Sequence, residues 1–154
     1  MRRKVLVLAA VLTIVGSSTA FSWAIGGAFG LAPAGGLPGS NVMLTGKFDQ
    51  SPVIFGAGMR IGQDTFQLGL TGDVHMVRRQ LINFLNFYVG PGLYLGIGND
   101  FQIGGRVPIA LYAFPIDVLE VFVEIAPTLA VEFGDPIEFP VFGLQGSFGF
   151  RFWF

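Results

Sequence analysis

The chain has 154 residues, 52% hydrophobic and 12% charged, with 23 glycines, no cysteine and a formal net charge of −1. That charged share is about half of what a soluble domain usually carries, which argues against a wholly water-facing surface. Without cysteine, disulfide staples and a lipid-carrying cysteine are both excluded.

Residues 1–20 read as a secretory signal peptide. Arg2, Arg3 and Lys4 form a positive head, and the run from Val5 to Val15 is apolar except for Thr13. Gly16-Ser17-Ser18-Thr19-Ala20 then offers small residues for cleavage after Ala20. The leader holds three of the nine basic residues and none of the ten acids, so residues 21–154 carry a net charge of −4. That sign argues against nucleic acid as a partner. No apolar stretch beyond the leader reaches the roughly 18 residues of a spanning helix, and the glycine content disfavours long helices. A closed sheet is then the remaining way for so apolar a chain to cross a bilayer, because lipid offers no partner to an open strand edge.

Eight strands are predicted within 21–154, at 21–31, 41–48, 53–61, 65–76, 81–97, 101–113, 118–133 and 140–154. The second is the weakest in pattern, and the fifth has room for a bulge near Pro91. Side chains of a strand alternate between two faces, and here the faces differ in kind. From Thr65, Phe66, Leu68, Leu70, Gly72, Val74 and Met76 oppose Gln67, Gly69, Thr71, Asp73 and His75. From Phe101, Ile103, Val107, Ile109 and Leu111 oppose Gln102, Gly104, Arg106, Pro108 and Tyr112. From Leu119, a row of Val, Ile and Leu opposes Glu120, Phe122, Glu124, Thr128 and Glu132.

Turn signals separate the runs. Gly62-Gln63-Asp64 and Gly98-Asn99-Asp100 sit in a short echo, Ile61 to Gly69 and Ile97 to Gly104, as if one hairpin were used twice. Asp49 to Pro52, Val77 to Gln80 and Phe114 to Asp117 are read as the other short turns. Two longer gaps, Ala32–Ser40 and Gly134–Pro140, fall on the side opposite the termini. The even count suits a single-chain barrel with both ends on one side of a membrane. Phe21, Trp23, Phe48, Phe152 and Phe154 would sit near one set of strand ends. Phe29, Phe66, Phe101, Phe133 and Phe142 would sit near the other, giving the two aromatic belts that membrane interfaces favour.

The last strand carries a family resemblance. Phe142, Leu144, Phe148, Phe150, Phe152 and Phe154 share one face, and Gly143, Gln145, Ser147, Gly149 and Arg151 share the other. With the leader, this ending resembles small eight-stranded bacterial outer-membrane β-barrels of the outer membrane protein A type and their spirochaete-type relatives. The resemblance implies an all-β, antiparallel up-and-down transmembrane barrel spanning 21–154, exported through the periplasm into the outer membrane of a diderm bacterium. It implies Phe150, Phe152 and Phe154 as part of an assembly signal. It implies as partners the lipid bilayer, the outer-membrane assembly machinery and periplasmic chaperones, for a monomer without cofactors.

If the apolar faces meet lipid, Lys47, Arg60, Arg106 and Arg151 meet Asp73, Glu120, Glu124 and Glu132 inside the barrel. Eight strands enclose little more than side chains, and unpaired buried charge is costly. A paired network is therefore expected, centred on Arg60, Arg106, Arg151, Glu120 and Glu124, with Glu132 and Lys47 nearer wet ends. Tyr88, Tyr94 and several glycines should face inward beside it. Such a network can plug and stiffen the barrel, making the protein mainly structural. Exchange of its pairs would instead open a narrow ion path, as the resemblance implies. A third reading is an adhesin or ligand-binding protein that uses its short outer loops. Catalysis is not expected: the one histidine, His75, stands two residues from Asp73 on the inner face, with no serine placed beside it. A metal site is equally weak, with one His, no Cys and acids that have basic partners.

Overall fold

A computed structural model describes residues 22–34, 42–61 and 66–154, with the backbone alone at 31–34, 60, 61 and 66. Residues 1–20, expected to be a signal peptide, Phe21, the expected Gly62-Gln63-Asp64 turn and most of the Ala32–Ser40 gap lie outside the described residues. The described chain is an all-β, antiparallel up-and-down sheet without a helix. It begins with β1 (Trp23–Ala34), β2 (Val42–Phe48), β3 (Val53–Ile61), β4 (Phe66–Val74), β5 (Val77–Ile82) and β6 (Leu85–Val89). It continues with β7 (Gly92–Ile97), β8 (Phe101–Arg106), β9 (Ile109–Ile116), β10 (Leu119–Phe133) and β11 (Glu138–Trp153).

Eleven strands stand where eight were expected. The run through 65–76 is interrupted after Val74, the 81–97 run at Gly90-Pro91, and the 101–113 run at Val107-Pro108. Proline brings no N–H to a ladder and fixes its own φ. Its carbonyl still accepts, and the interruptions line up because of it. His75 N–H donates to Pro52 O (2.7 Å), Val74 to Pro91 (2.8 Å), Gly90 to Pro108 (3.4 Å) and Val107 to Pro127 (3.0 Å). A seam of proline carbonyls thus crosses adjacent strands, and Pro127 alone sits in it without breaking its strand.

Two expected turns move. Val77 to Gln80 is not a turn: it lies in β5, paired with β6 from Val77–Val89 to Ile82–Leu85, and the chain reverses at Asn83-Phe84. The two arginines were read as turn residues, yet an exposed edge strand tolerates charge and even benefits from it. The turn expected over Phe114–Asp117 shortens to Asp117-Val118, because β9 runs on to Ile116.

The pairings return to their starting strand. β11 pairs with β1 on one side and β10 on the other. From Ala24, facing residues run through Lys47, Ile54, Asp73, Gly92, Arg106 and Thr128 to Gly143 of β11. Ala24 itself faces Trp153, ten residues further along the same strand.

The two faces are inverted relative to a water-soluble protein. In β10, Glu120, Phe122, Glu124, Ala126, Thr128 and Ala130 are buried, while Val123, Ile125 and Leu129 between them are exposed. Tyr88, Tyr94, Ile54 and Ala110 fill the inside. Where strands cross the proline seam there is no room for a side chain: a Cβ on Gly90 would lie 1.7 Å from the Val74 carbonyl oxygen. Gly72 points outward with nothing within 4 Å. Gly90→Ala should therefore lower stability by about 1–3 kcal/mol, and Gly72→Ala should be neutral within about 0.5 kcal/mol. Urea unfolding followed by tryptophan fluorescence measures both, and equal effects at the two sites would contradict the packing described.

Candidate functional site

The buried polar residues are placed by strand parity. Lys47 of β2, Asp73 of β4, Arg106 of β8, Glu120 and Glu124 of β10 and Arg151 of β11 all occupy inward positions, and all are buried. They sort into two clusters of opposite excess charge.

The first cluster lies toward the chain termini. Glu120, with no exposed surface, receives Lys47 Nζ at 3.0 Å and Arg151 Nη1 at 2.6 Å on its two oxygens. Trp153 Nε1 donates to the same carboxylate at 3.0 Å, and Arg151 Nε donates to Thr45 Oγ1 at 3.0 Å. Aromatic faces complete the shell. Lys47 Nζ sits 4.7 Å from the Tyr112 ring centre and 5.3 Å from the Trp153 ring, and the Arg151 guanidinium stacks 3.9 Å from Phe122. Ring faces attract cations, most strongly where water is absent. Two cations around one carboxylate leave a formal excess of +1.

The second cluster is organised by Arg106. Its guanidinium pairs with Glu124, lies 3.1 Å from Asp73 Oδ1 and donates to Gln145 Oε1 at 2.7 Å. The contact to Asp73 is an ion pair without the alignment of a hydrogen bond. Tyr88 O–H donates to the other oxygen of Glu124. One cation and two carboxylates leave a formal excess of −1, which offsets the first cluster. Between them lies a cavity of about 20 Å³ lined by Asp73, Arg106, Glu124, Arg151 and Phe122. That is room for about one water molecule.

The remaining expected members separate. Lys47 is a correction: expected near a wet end, it is buried and tied into the Glu120 cluster, because Tyr112 and Trp153 cover it. Glu132 sits toward the opposite end, half-buried, and accepts from Gln102. Arg60 pairs through its backbone with Gln67, and its side chain lies outside the described residues. His75 is buried and stacks on Tyr88 at 3.8 Å between ring centres. Neither of its ring nitrogens has a hydrogen-bond partner, so it makes no acid–base pair with Asp73. Phe150, Phe152 and Phe154 share the outward face, and the backbone of Phe154 exchanges two hydrogen bonds with Trp23, joining the end of the chain to β1. The Trp23–Phe154 pair stacks at 4.9 Å near the termini, and Phe101 meets Phe133 at 5.8 Å near the other end.

Four network members stand outside the expected charge network: Thr45 and Trp153, and Tyr112 and Gln145, which the alternation had placed on the inner face without a role. Thr45 and Trp153 have the parity of Lys47 or Arg151 in the same strand, so alternation alone could have nominated them. Compared with protein-family models, curated proteins and solved structures, the chain matches none.

Removing one charge from either cluster leaves a buried partner uncompensated. Glu120→Gln should cost about 3–5 kcal/mol, since Lys47 and Arg151 then share no anion. Glu124→Gln and Arg106→Gln should be non-additive, with a coupling of about 0.5–3 kcal/mol in a double-mutant cycle of urea unfolding. Additive costs would mean that the pair does not interact.

Proposed function

We propose that the protein is an integral outer-membrane β-barrel of eight strands whose charge-paired interior is closed, so that its role is mainly structural. β4 continued by β5, β6 with β7 and β8 with β9 then count as single strands of the barrel, each interrupted at the proline seam, with β5 extending beyond the bilayer core. The ten-residue stagger supports this count. Ten residues at about 3.3 Å each give about 33 Å of stagger, and eight strands about 4.8 Å apart give about 38 Å of girth. The resulting tilt of roughly 40° falls within the range that closed barrels need.

The observation that carries the reading is the inversion of faces: apolar side chains outward, six charged groups paired inward. Water would reward the opposite arrangement, whereas hydrocarbon rewards this one. The belts of Trp23 with Phe154 and Phe101 with Phe133 suit the two interfaces. Residues 1–20 as a cleaved signal, and Phe150, Phe152 and Phe154 as an assembly signal, complete a route through the periplasm. Along it, chaperones and the assembly machinery would be the transient partners. The cavity of about 20 Å³ between the clusters favours a plug over an ion path.

Protein refolded into phosphatidylcholine vesicles should give β-type far-UV circular dichroism and a heat-modifiable band on gels. In planar bilayers it should show no resolved openings. A helical or unfolded spectrum in lipid would overturn the membrane reading. Openings abolished by Glu124→Gln would replace the plug with a pore gated by lumen salt bridges.

A further inference from the structure

Six charged residues are paired inside and Glu132 is taken by Gln102, which leaves the outer surface almost without cations. Beyond the leader the sequence has six basic residues, and apart from Lys47, Arg60, Arg106 and Arg151 only Arg78 and Arg79 remain. Both lie on β5 and both are exposed, without an ion pair among the described residues. At the same end, the other acidic or basic side chains outside the clusters are the buried His75 and, in the two neighbouring turns, Asp49 and Asp117. Asp100, Asp135 and Glu138 lie at the opposite end, which has no described cation of its own. Among the described residues, the β5–β6 hairpin is therefore the one basic point on an otherwise acidic exterior.

That hairpin also differs from the rest of the sheet in its bonding. β5 is the only described strand with a single partner, β6, because β3 begins opposite Val74 and does not reach it. An open backbone edge has no partner in hydrocarbon, so β5 belongs in the wet headgroup layer rather than in the bilayer core. Its neighbours are nonetheless apolar: Met76 (74% exposed), Leu81 and Ile82 (each 53%) and Phe84 (66%). Register puts Arg79 on the outward face with Phe87 and Arg78 on the inner face with the buried Tyr88, where the single-partnered edge of β5 leaves Arg78 exposed. Basic groups interleaved with exposed apolar ones at headgroup depth form the pattern that binds anionic lipid surfaces. An acidic protein segment would satisfy the arginines but leave Met76, Leu81, Ile82 and Phe84 without a reason.

We propose that the β5–β6 hairpin docks anionic phospholipid, with Arg78 and Arg79 pairing to headgroup phosphate and the flanking apolar side chains lying against acyl chains. The proposal rests on the membrane reading above. Native mass spectrometry of the folded protein in neutral detergent, offered equal phosphatidylglycerol and phosphatidylcholine, tests it. Phosphatidylglycerol should be retained preferentially. The R78Q/R79Q variant should lose roughly thirtyfold of that retention, about a factor of five for each arginine, while R78K/R79K keeps most of it. Equal retention of the two lipids by a folded protein, or no loss in R78Q/R79Q, would overturn the proposal alone. Displacement of the lipid by inorganic phosphate, or preference for polyglutamate over lipid, would assign the arginines to a different ligand and also overturn it. A chain that folds in no micelle or vesicle would overturn the membrane reading together with it.

Discussion

Glu120 is buried between Lys47 and Arg151, and much of the interior follows from that contact. A carboxylate removed from water loses far more solvation than one cation returns in a loose geometry. Here both oxygens are engaged, a tryptophan N–H adds a third donor, and aromatic faces shield the cations. The cluster nevertheless keeps one positive charge too many. The nearest compensation is the Arg106 cluster, with one negative charge too many, across a gap of about 20 Å³. The two clusters therefore belong to one electrostatic unit, drawn from β2, β4, β8, β10 and β11. Pairing of those charges joins strands far apart in the chain, from β2 to β11.

The proline seam reconciles long strands with this packing. Between Val74 and Pro127 the ladder steps sideways, and carbonyls of Pro52, Pro91, Pro108 and Pro127 accept the bonds that regular pairing would have placed elsewhere. The inner wall changes character at that line. Toward the termini lie Tyr88, Tyr112, His75 and the Lys47 cluster, and toward the other end lie Tyr94, Gln102 and Glu132. Interruptions of this kind re-aim side chains, as bulges do elsewhere, and only the one after Val74 leaves a strand, β5, with a single partner among the described residues.

Much of this was legible in the chain. Alternation over 101–113 and 118–133 named the buried face residue by residue, since a one-residue slip would reverse every side chain. Arg106, Glu120 and Glu124 follow directly from it, Arg151 follows from the same alternation over 140–154, and so does the prospect that they pair. Lys47 was read as wet because only its position near a strand end was visible. Tyr112 and Trp153, which cover it, come from strands about 65 and 106 residues away. The reversal at Asn83-Phe84 was missed because Arg78-Arg79 looked more like a turn than the apolar Leu81, Ile82 and Phe84. An edge strand outside a packed layer escapes the period-two rule on which the reading depended.

The sequence by itself determined the strand class, the identity of the two faces and the scarcity of surface charge, because period, composition and turn chemistry are local properties. Only the tertiary structure decided which charges meet, how the interior splits into two offsetting clusters, and where proline interrupts the ladders. Those outcomes depend on the stagger between strands, the ten residues separating Gly143 from Trp153 around the ring. Stagger arises from pairing between distant segments, and no short stretch of chain encodes it.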